Sequence, residues 1–163
     1  MIIILMGVAG SGKTTIGRML AAALQCGFLE GDEFHSAASV EKMKHGIPLT
    51  DEDREPWLRR IRVTLTRIER CQKTHVVACS ALKQQYRDVL GAGDPLVKFV
   101  YLRGTFDVLA ARLQERKGHF FDGGLLASQF DTLEEPQDAV SIDVASTPQE
   151  AVDHILGALG LSA

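Results

Sequence analysis

The chain has 163 residues, with 18 lysines and arginines against 21 aspartates and glutamates, and a formal net charge of −3 with neutral histidines. This length fits one domain, and 45% hydrophobic with 24% charged residues is typical of a globular protein with a sizeable core, which excludes a largely disordered chain. The acidic balance, without a dense run of lysine or arginine, argues against a nucleic acid or an anionic membrane as the partner.

The cysteines and the N-terminal segment indicate the compartment. Cys26, Cys71 and Cys79 are odd in number and show no CxxC spacing, so they predict neither a disulfide framework nor a thiolate zinc site. The apolar run from Ile2 to Met6 is too short for a signal peptide or a membrane span. We therefore expect a cytoplasmic protein with reduced cysteines.

Short apolar runs alternate with stretches of helical periodicity, which predicts an α/β fold with a parallel sheet and crossover helices. Strands are predicted over residues 2–6, 27–30, 75–79, 97–102 and 140–144. Helices are predicted over residues 13–24, 40–45, 51–71, 81–90, 106–116, 125–130 and 148–159. Three of the strands are apolar at nearly every position, so we expect helices to cover both faces of the sheet.

Residues 7–14 match the Walker A pattern GxxxxGK[ST] and lie between the first predicted strand and the first predicted helix. In such a loop the backbone N–H groups and the helix N-terminus bind phosphate oxygens, while the lysine reaches the terminal phosphates. We therefore predict that Lys13 is catalytic and that the Thr14 hydroxyl is a magnesium ligand. The predicted ATP-binding residues of the loop are Gly7, Val8, Ala9, Gly10, Ser11, Gly12, Lys13, Thr14 and Thr15.

Polar residues follow the second and third predicted strands, where ligands of an open parallel sheet bind. Asp32 is a candidate to accept the proton of a substrate hydroxyl or to hold magnesium through water, and a loop or N-cap aspartate is the alternative. His35 is a weaker candidate, since a lone histidine more often makes a structural hydrogen bond. Lys83 and Arg87, four residues apart on one predicted helical face, can clamp an anionic substrate or simply form a solvated surface.

Further arginines stand near the only tryptophan and before a glycine-rich segment. Arg54 is a candidate carboxylate or phosphate ligand, and Trp57 is expected to be a packing anchor. The other arginines of that helix alternate with leucine and isoleucine, which favours a solvated outer face over a nucleic-acid surface. Arg112 and Arg116 lead into residues 117–124, a predicted mobile flap, and can stack on a base, neutralise a transferring phosphate or form surface salt bridges.

Blocks of sequence along most of the chain from Ile4 to Pro136 resemble gluconokinase. The Walker A loop by itself indicates only a P-loop protein, whereas four later blocks in this order are specific to that family. These are GDEFH at 31–35, GIPL at 46–49 followed by Asp51, Asp53, Arg54, Pro56 and Trp57, CSALK at 79–83 with Tyr86 and Arg87, and KGHF at 117–120 with SQF at 128–130.

The resemblance implies one three-layer αβα P-loop kinase domain over residues 1–163, similar to shikimate and adenylate kinases. It further implies a five-stranded parallel sheet, a helical substrate-binding insert at about residues 35–71 and a mobile lid at about residues 116–131. The implied activity is ATP-dependent phosphorylation of the terminal hydroxyl of D-gluconate, with Mg²⁺, by a homodimer.

The resemblance also implies roles for individual residues. Arg112 would stack on adenine beside the loop at residues 145–148, and Arg116 would be catalytic and reach the phosphates as the lid closes. The substrate-binding residues that it implies are Asp32, His35, Arg54, Lys83, Arg87, His119 and Gln129.

Two alternatives remain open. One is another small-molecule kinase, acting on shikimate or a nucleoside monophosphate, although the acceptor region has few flat aromatic residues to form a base pocket. The other is a GTP-switch module that signals by binding partners. Proteins of that class read guanine with an Asn-Lys-x-Asp motif, and this sequence contains no asparagine.

Overall fold

The computed structural model describes residues 1–115 and 123–162. These residues form a five-stranded parallel sheet in the order β2-β3-β1-β4-β5. The strands are β1 (Ile2–Met6), β2 (Gly27–Glu30), β3 (His75–Ala78), β4 (Val97–Arg103) and β5 (Val140–Asp143). Helices cover both faces, which confirms the predicted three-layer α/β fold.

The helices agree with the sequence periodicity, with small shifts at their ends. Two of them begin at complete capping boxes, in which Thr50 and Thr147 accept a hydrogen bond from the backbone N–H three residues later and the carboxylate at that position returns one. The helices are α1 (Lys13–Ala23), α2 (Ala37–Lys44), α3 (Asp51–Arg70), α4 (Gln84–Leu90), α5 (Phe106–Glu115), α6 (Gly123–Thr132) and α7 (Pro148–Leu159), with a 3₁₀ turn at Gly31–Phe34.

The central strand β1 separates two layers of core. Successive side chains of a strand face opposite sides, so Ile3 and Leu5 pack with residues of α1 and α7, whereas Ile2, Ile4 and Met6 pack with residues of α3 and α4. We call these the α1/α7 layer and the α3/α4 layer. All five β1 residues are fully buried, as the continuous apolar run predicts for a strand covered on both faces.

The start of α4 differs from the prediction. Ala81 has a left-handed backbone with φ of +43°, and the helix begins only at Gln84, with Lys83 as its N-cap. The buried Arg87 guanidinium donates through Nη1 to the carbonyl oxygens of Ala81 and Leu82, at 3.1 Å each. Lys83 therefore lies outside the helix and does not share a helical face with Arg87.

Part of the predicted lid lies within the described residues. Residues 123–131 belong to α6, and Leu126 of this helix is 1% exposed and belongs to the α1/α7 layer. Residues 116–122 of the predicted lid, including Arg116 and His119, lie outside the described residues. In the two described ranges, no helix is both long and apolar enough to span a membrane.

Candidate functional site

The Walker A loop connects β1 to α1 through three glycines with positive φ. The φ angles of Gly7, Gly10 and Gly12 are +137°, +79° and +94°, a region that L side chains rarely adopt. A Cβ on Gly7 would lie 2.8 Å from the carbonyl oxygen of Leu102, so only glycine lets the loop pass this close to β4. Gly12 begins α1 without a side-chain cap, which leaves the first N–H groups of the helix to interact with an anion.

Lys13 and the loop backbone form the floor of this region. The Lys13 ammonium donates to the carbonyl oxygens of Gly7 and Val8, at 3.0 and 2.9 Å. The lysine side chain therefore folds back onto the loop that precedes it. The side chains of Val8 and Ser11 are buried beneath the loop, and Thr15 is exposed on α1. The loop is thereby held in shape by its own side chains and carries a cation at its mouth.

The Thr14 hydroxyl lies beside a carboxylate that sequence reasoning did not single out. Thr14 Oγ1 donates to Glu30 Oε2 at 2.8 Å, and Glu30 is the last residue of β2. Its position at the carboxyl end of β2, the edge of a parallel sheet at which ligands bind, was the available signal. Within the described ranges, no group of three or more histidine, cysteine, aspartate or glutamate side chains is arranged to hold a metal ion.

Asp32 lies on the 3₁₀ turn after β2, and a tryptophan supports that turn from below. The Asp32 side chain is 73% exposed, and its Oδ1 lies 4.0 Å from Nε2 of His35. Trp57 of α3 donates through Nε1 to the carbonyl oxygen of Gly31 at 2.7 Å. The Trp57 ring also stacks on His35, with centroids 4.3 Å apart and planes inclined by 12°. One buried side chain thus positions both candidates.

The environment of His35 favours its neutral form. Burial lowers the pKa of the imidazole because the charged ring loses hydration. The Asp32 carboxylate acts in the opposite direction, while Arg54 and Arg60 lower the pKa further. Since the ordinary histidine pKa is about 6.5, His35 is mainly uncharged at neutral pH.

A cavity of about 100 Å³ joins the phosphate loop to the 3₁₀ turn. Gln129 of α6 closes one side of it, because its Oε1 accepts a hydrogen bond of 2.6 Å from the backbone N–H of Ala9. The cavity therefore brings together predicted site residues from distant parts of the sequence. The polar side chains that line it are Lys13, Asp32, His35, Arg54, Ser80 and Gln129.

The cations expected to bind an acidic acceptor are only partly brought together, since Arg54 and Lys83 both lie over the Tyr86 ring while Arg87 lines another cavity. Arg54 lines the cavity, with its guanidinium 5.7 Å from the centroid of the Tyr86 ring. The Lys83 ammonium instead pairs with Asp51, at 2.8 Å from each carboxylate oxygen. Arg87 is only 3% exposed, and its guanidinium donates to carbonyl oxygens of the turn before α4. It lines a different cavity. Lys83 and Arg87 therefore do not form the clamp expected from their four-residue spacing, because the late start of α4 leaves Lys83 outside the helix and Arg87 bound to the turn before it.

Asp51 forms the centre of a cluster that ties α3 to α4. Its carboxylate accepts from Lys83, from Gln85 Nε2 at 3.0 Å and from the Tyr86 hydroxyl. The Lys83 and Tyr86 hydrogen bonds lower the pKa of Asp51 to about 2, whereas burial and the carboxylate raise the pKa of Tyr86. This cluster fixes the first turn of α3, which carries Arg54 three residues later.

Arg112 lies on α5 and does not line the cavity beside the phosphate loop. Its guanidinium donates to the carbonyl oxygen of Val144, immediately before the loop expected to border a base. The same helix contacts the phosphate loop, since a Cβ on Gly10 would lie 3.0 Å from Leu113 Cγ. Helix α5 thus joins the loop after β5 to the phosphate loop.

Comparison with known proteins gives relatives that match most of the chain. Residues 9–159 match the family profile described as shikimate kinase. The thermosensitive gluconokinase of Escherichia coli K12 is 48% identical over 145 residues, covering 86% of this chain and 78% of the relative. The gluconokinase of Arabidopsis thaliana is 44% identical over 170 residues, covering 95% and 90%.

Solved structures agree with these relatives. The crystal structure of a gluconokinase from Sinorhizobium meliloti 1021 has a TM-score of 0.87 at 43% identity, covering 97% of this chain and 90% of that one. A shikimate kinase from Aquifex aeolicus has a TM-score of 0.61 at 18% identity, covering 98% and 96%. The latter likeness shows a shared fold.

Proposed function

Because the chain belongs to the gluconokinase family and matches the shikimate kinase profile, we propose that it phosphorylates D-gluconate. In this reaction the γ-phosphoryl group of ATP is transferred to the terminal hydroxyl, giving 6-phospho-D-gluconate and ADP. The observation that carries the proposal is the cavity in which Lys13 of the phosphate loop meets Asp32, Arg54 and Gln129.

The phosphate loop fits a nucleoside triphosphate. The positive φ angles of its glycines let successive backbone N–H groups of the loop point toward one bound anion. Any larger residue at position 7 would place its Cβ against the backbone of β4. Lys13 adds positive charge at the mouth of the loop. The hydrogen bond from Arg112 to Val144, directly before the loop at residues 145–148, supports adenine binding beside that loop. Arg116 and His119 stay predictions from the resemblance.

The residues present also fit Mg²⁺. In P-loop proteins this ion is held by the Ser/Thr hydroxyl of the loop together with a carboxylate, substrate phosphates and water, so the Thr14 hydroxyl fits one ligand position. Glu30 accepts the hydrogen bond of that hydroxyl and keeps its oxygen oriented. When bound, Mg²⁺ neutralises charge on the β- and γ-phosphates.

Asp32 and Lys13 carry the proposed chemistry. Asp32 accepts the proton of the terminal hydroxyl, whose oxygen then forms a bond to the γ-phosphorus. The bond from that phosphorus to the β–γ bridging oxygen breaks, and ADP leaves with the electron pair. Lys13 stabilises the negative charge on the transferring group. Arg54 binds the carboxylate at the other end of the acceptor, because a guanidinium recognises a carboxylate through charge-assisted hydrogen bonds.

We also propose that the protein is a cytoplasmic homodimer, on the strength of the family resemblance. Size-exclusion chromatography with light scattering measures the oligomeric state directly, and a mass of one chain, 17.8 kDa, would contradict the dimer. Fractionation of cells producing the chain tests the compartment.

An ADP-release assay over a panel of acceptors tests the activity. The panel contains D-gluconate, D-glucose, shikimate and AMP, each with Mg²⁺ and ATP, and the product is identified as a terminal phosphomonoester by ³¹P NMR. We expect turnover with gluconate, and a loss of about 10²-fold or more in kcat for Lys13→Ala with an unchanged circular dichroism spectrum. Shikimate is the second candidate because of the family profile, and its use in place of gluconate would replace our proposal.

A further inference from the structure

His35 is held rigidly beside Asp32 at the wall of the cavity. Its side chain is only 5% exposed, and its ring is stacked on Trp57 with the centroids 4.3 Å apart. The ring nevertheless lines the same cavity as Lys13 and Arg54. An imidazole that is fixed in this way and faces the proposed acceptor space can select among acceptor groups.

The two nitrogens of the His35 ring have different surroundings. Nδ1 is buried and has no hydrogen-bond partner within the described part of the chain. A buried N–H without an acceptor is rarer in proteins than a buried acceptor without a donor. Nε2, by contrast, lies 4.0 Å from the Asp32 carboxylate, which attracts a proton to that nitrogen.

These surroundings assign the proton of the neutral ring to Nε2. The charged groups that act on the ring are Asp32, Arg54 and Arg60, and the ring stays neutral because burial and both arginines disfavour the imidazolium. His35 therefore presents one hydrogen-bond donor, Nε2–H, next to the acceptor oxygens of Asp32.

We infer that His35 is a specificity-determining residue that recognises the hydroxyl next to the one that is phosphorylated. This inference rests on the proposed function. While Asp32 accepts the proton of the terminal hydroxyl, Nε2–H of His35 donates to the oxygen of the neighbouring hydroxyl. An acceptor and a donor held 4.0 Å apart match the two oxygens of a vicinal diol, which are carried by adjacent carbons.

The inference defines a substrate class, namely a polyol acid with a vicinal diol at the end opposite its carboxylate. Trp57 takes part as a positioning residue, because it fixes both the ring plane of His35 and the turn that carries Asp32. A histidine that merely filled space against Trp57 would be indifferent to whether the neighbouring hydroxyl is present. That difference separates the two roles experimentally.

The test compares D-gluconate with 5-deoxy-D-gluconate, which keeps the carboxylate and the terminal hydroxyl but lacks the neighbouring one. We expect the wild type to prefer gluconate by about 10- to 100-fold in kcat/KM, because the analogue leaves the His35 N–H unpaired. His35→Phe keeps an aromatic ring against Trp57 but removes the donor. It should lower kcat/KM for gluconate and bring the ratio between the two acceptors close to one.

Two further variants complete the design. His35→Gln restores an N–H donor and should recover part of the preference for gluconate, which a packing role does not predict. His45→Phe is the matched control, since this histidine lies at the end of α2 with its side chain 65% exposed, and it should leave the ratio unchanged.

The outcomes are distinguishable. Equal use of both acceptors by the wild type overturns the inference whether or not any variant folds, and so does an unchanged ratio in a folded His35→Phe. If the wild type releases no ADP with gluconate, the proposed function fails first and the inference fails with it.

Discussion

Replacing Trp57 by phenylalanine removes one hydrogen bond and part of one ring at the base of the candidate site. Trp57 is fully buried, and its Nε1 is the donor to the Gly31 carbonyl oxygen at 2.7 Å. Phenylalanine keeps an aromatic surface against His35 but leaves that carbonyl without its donor, which costs about 1–3 kcal/mol. The smaller ring also leaves unfilled volume, which adds about 1 kcal/mol. We expect the free energy of unfolding to fall by about 2–4 kcal/mol.

The same substitution should affect the reaction, because Gly31 directly precedes Asp32. Displacement of the proposed base should lower kcat/KM for gluconate by about tenfold or more while KM for ATP stays near its wild-type value. Urea unfolding followed by far-ultraviolet circular dichroism measures the stability, and steady-state kinetics measures the turnover.

Tyr101→Phe is the matched control for this experiment. Tyr101 is also buried, at 4% exposure, and its hydroxyl donates to Glu135 at 3.2 Å, but it does not line the cavity. Loss of that hydroxyl should cost roughly 0.5–1.5 kcal/mol and leave kcat/KM unchanged. A Trp57→Phe protein that is as stable as the wild type would refute the argument from the Gly31 hydrogen bond. Full turnover in a destabilised variant would refute the link between Trp57 and Asp32.

Asp32→Asn should lower kcat by about 10²- to 10⁴-fold with little change in KM for ATP. If the variant instead lost nucleotide affinity and kept its turnover, Asp32 would be a nucleotide ligand. Arg54→Ala should lower kcat/KM about 10- to 100-fold more for gluconate than for glucose. Arg87→Ala should reduce stability and leave the gluconate-to-glucose ratio of kcat/KM unchanged. Equal gluconate-to-glucose ratios in the two variants would contradict the assignment of Arg54, and not Arg87, to the acceptor cavity. The folded-state pKa of Asp51, about 2, lies below the unfolded value of about 3.9, so its carboxylate stabilises the fold above about pH 4 and loses this effect as the pH falls toward 2. The urea midpoint of Asp51→Asn should therefore lie below that of the wild type at pH 6 and converge with it between about pH 4 and 2, and a pH-independent difference would count against the cluster.

Local sequence patterns were sufficient to predict the sheet and the phosphate loop. A buried parallel strand is a continuous apolar run, so β1 could be delimited from five consecutive residues. Thr50 and Thr147 similarly predict the first residues of α3 and α7, since capping depends on residues three apart. These features are encoded by neighbours along the chain.

The partners of the charged residues could not be predicted in the same way. The four-residue spacing of Lys83 and Arg87 indicates a shared helical face only if both residues are helical, and no glycine marks the left-handed turn at Ala81. The Lys83–Asp51 pair and the Thr14–Glu30 hydrogen bond join residues that are 32 and 16 positions apart. Such contacts depend on how the layers pack, which a motif does not specify.

The alternation of side chains along β1 has a consequence for how such an enzyme changes its acceptor over evolutionary time. The α3/α4 layer includes Trp57 of the helix that bears Arg54, whereas the α1/α7 layer includes Leu109 of the helix that bears Arg112. A substitution at Ile4 reshapes the first layer, and one at Ile3 reshapes the second, because a strand residue contacts one face of the sheet at a time. Substitutions that alter the packing beneath Trp57 can thus accumulate on one face while the packing of the helix that bears Arg112 is kept.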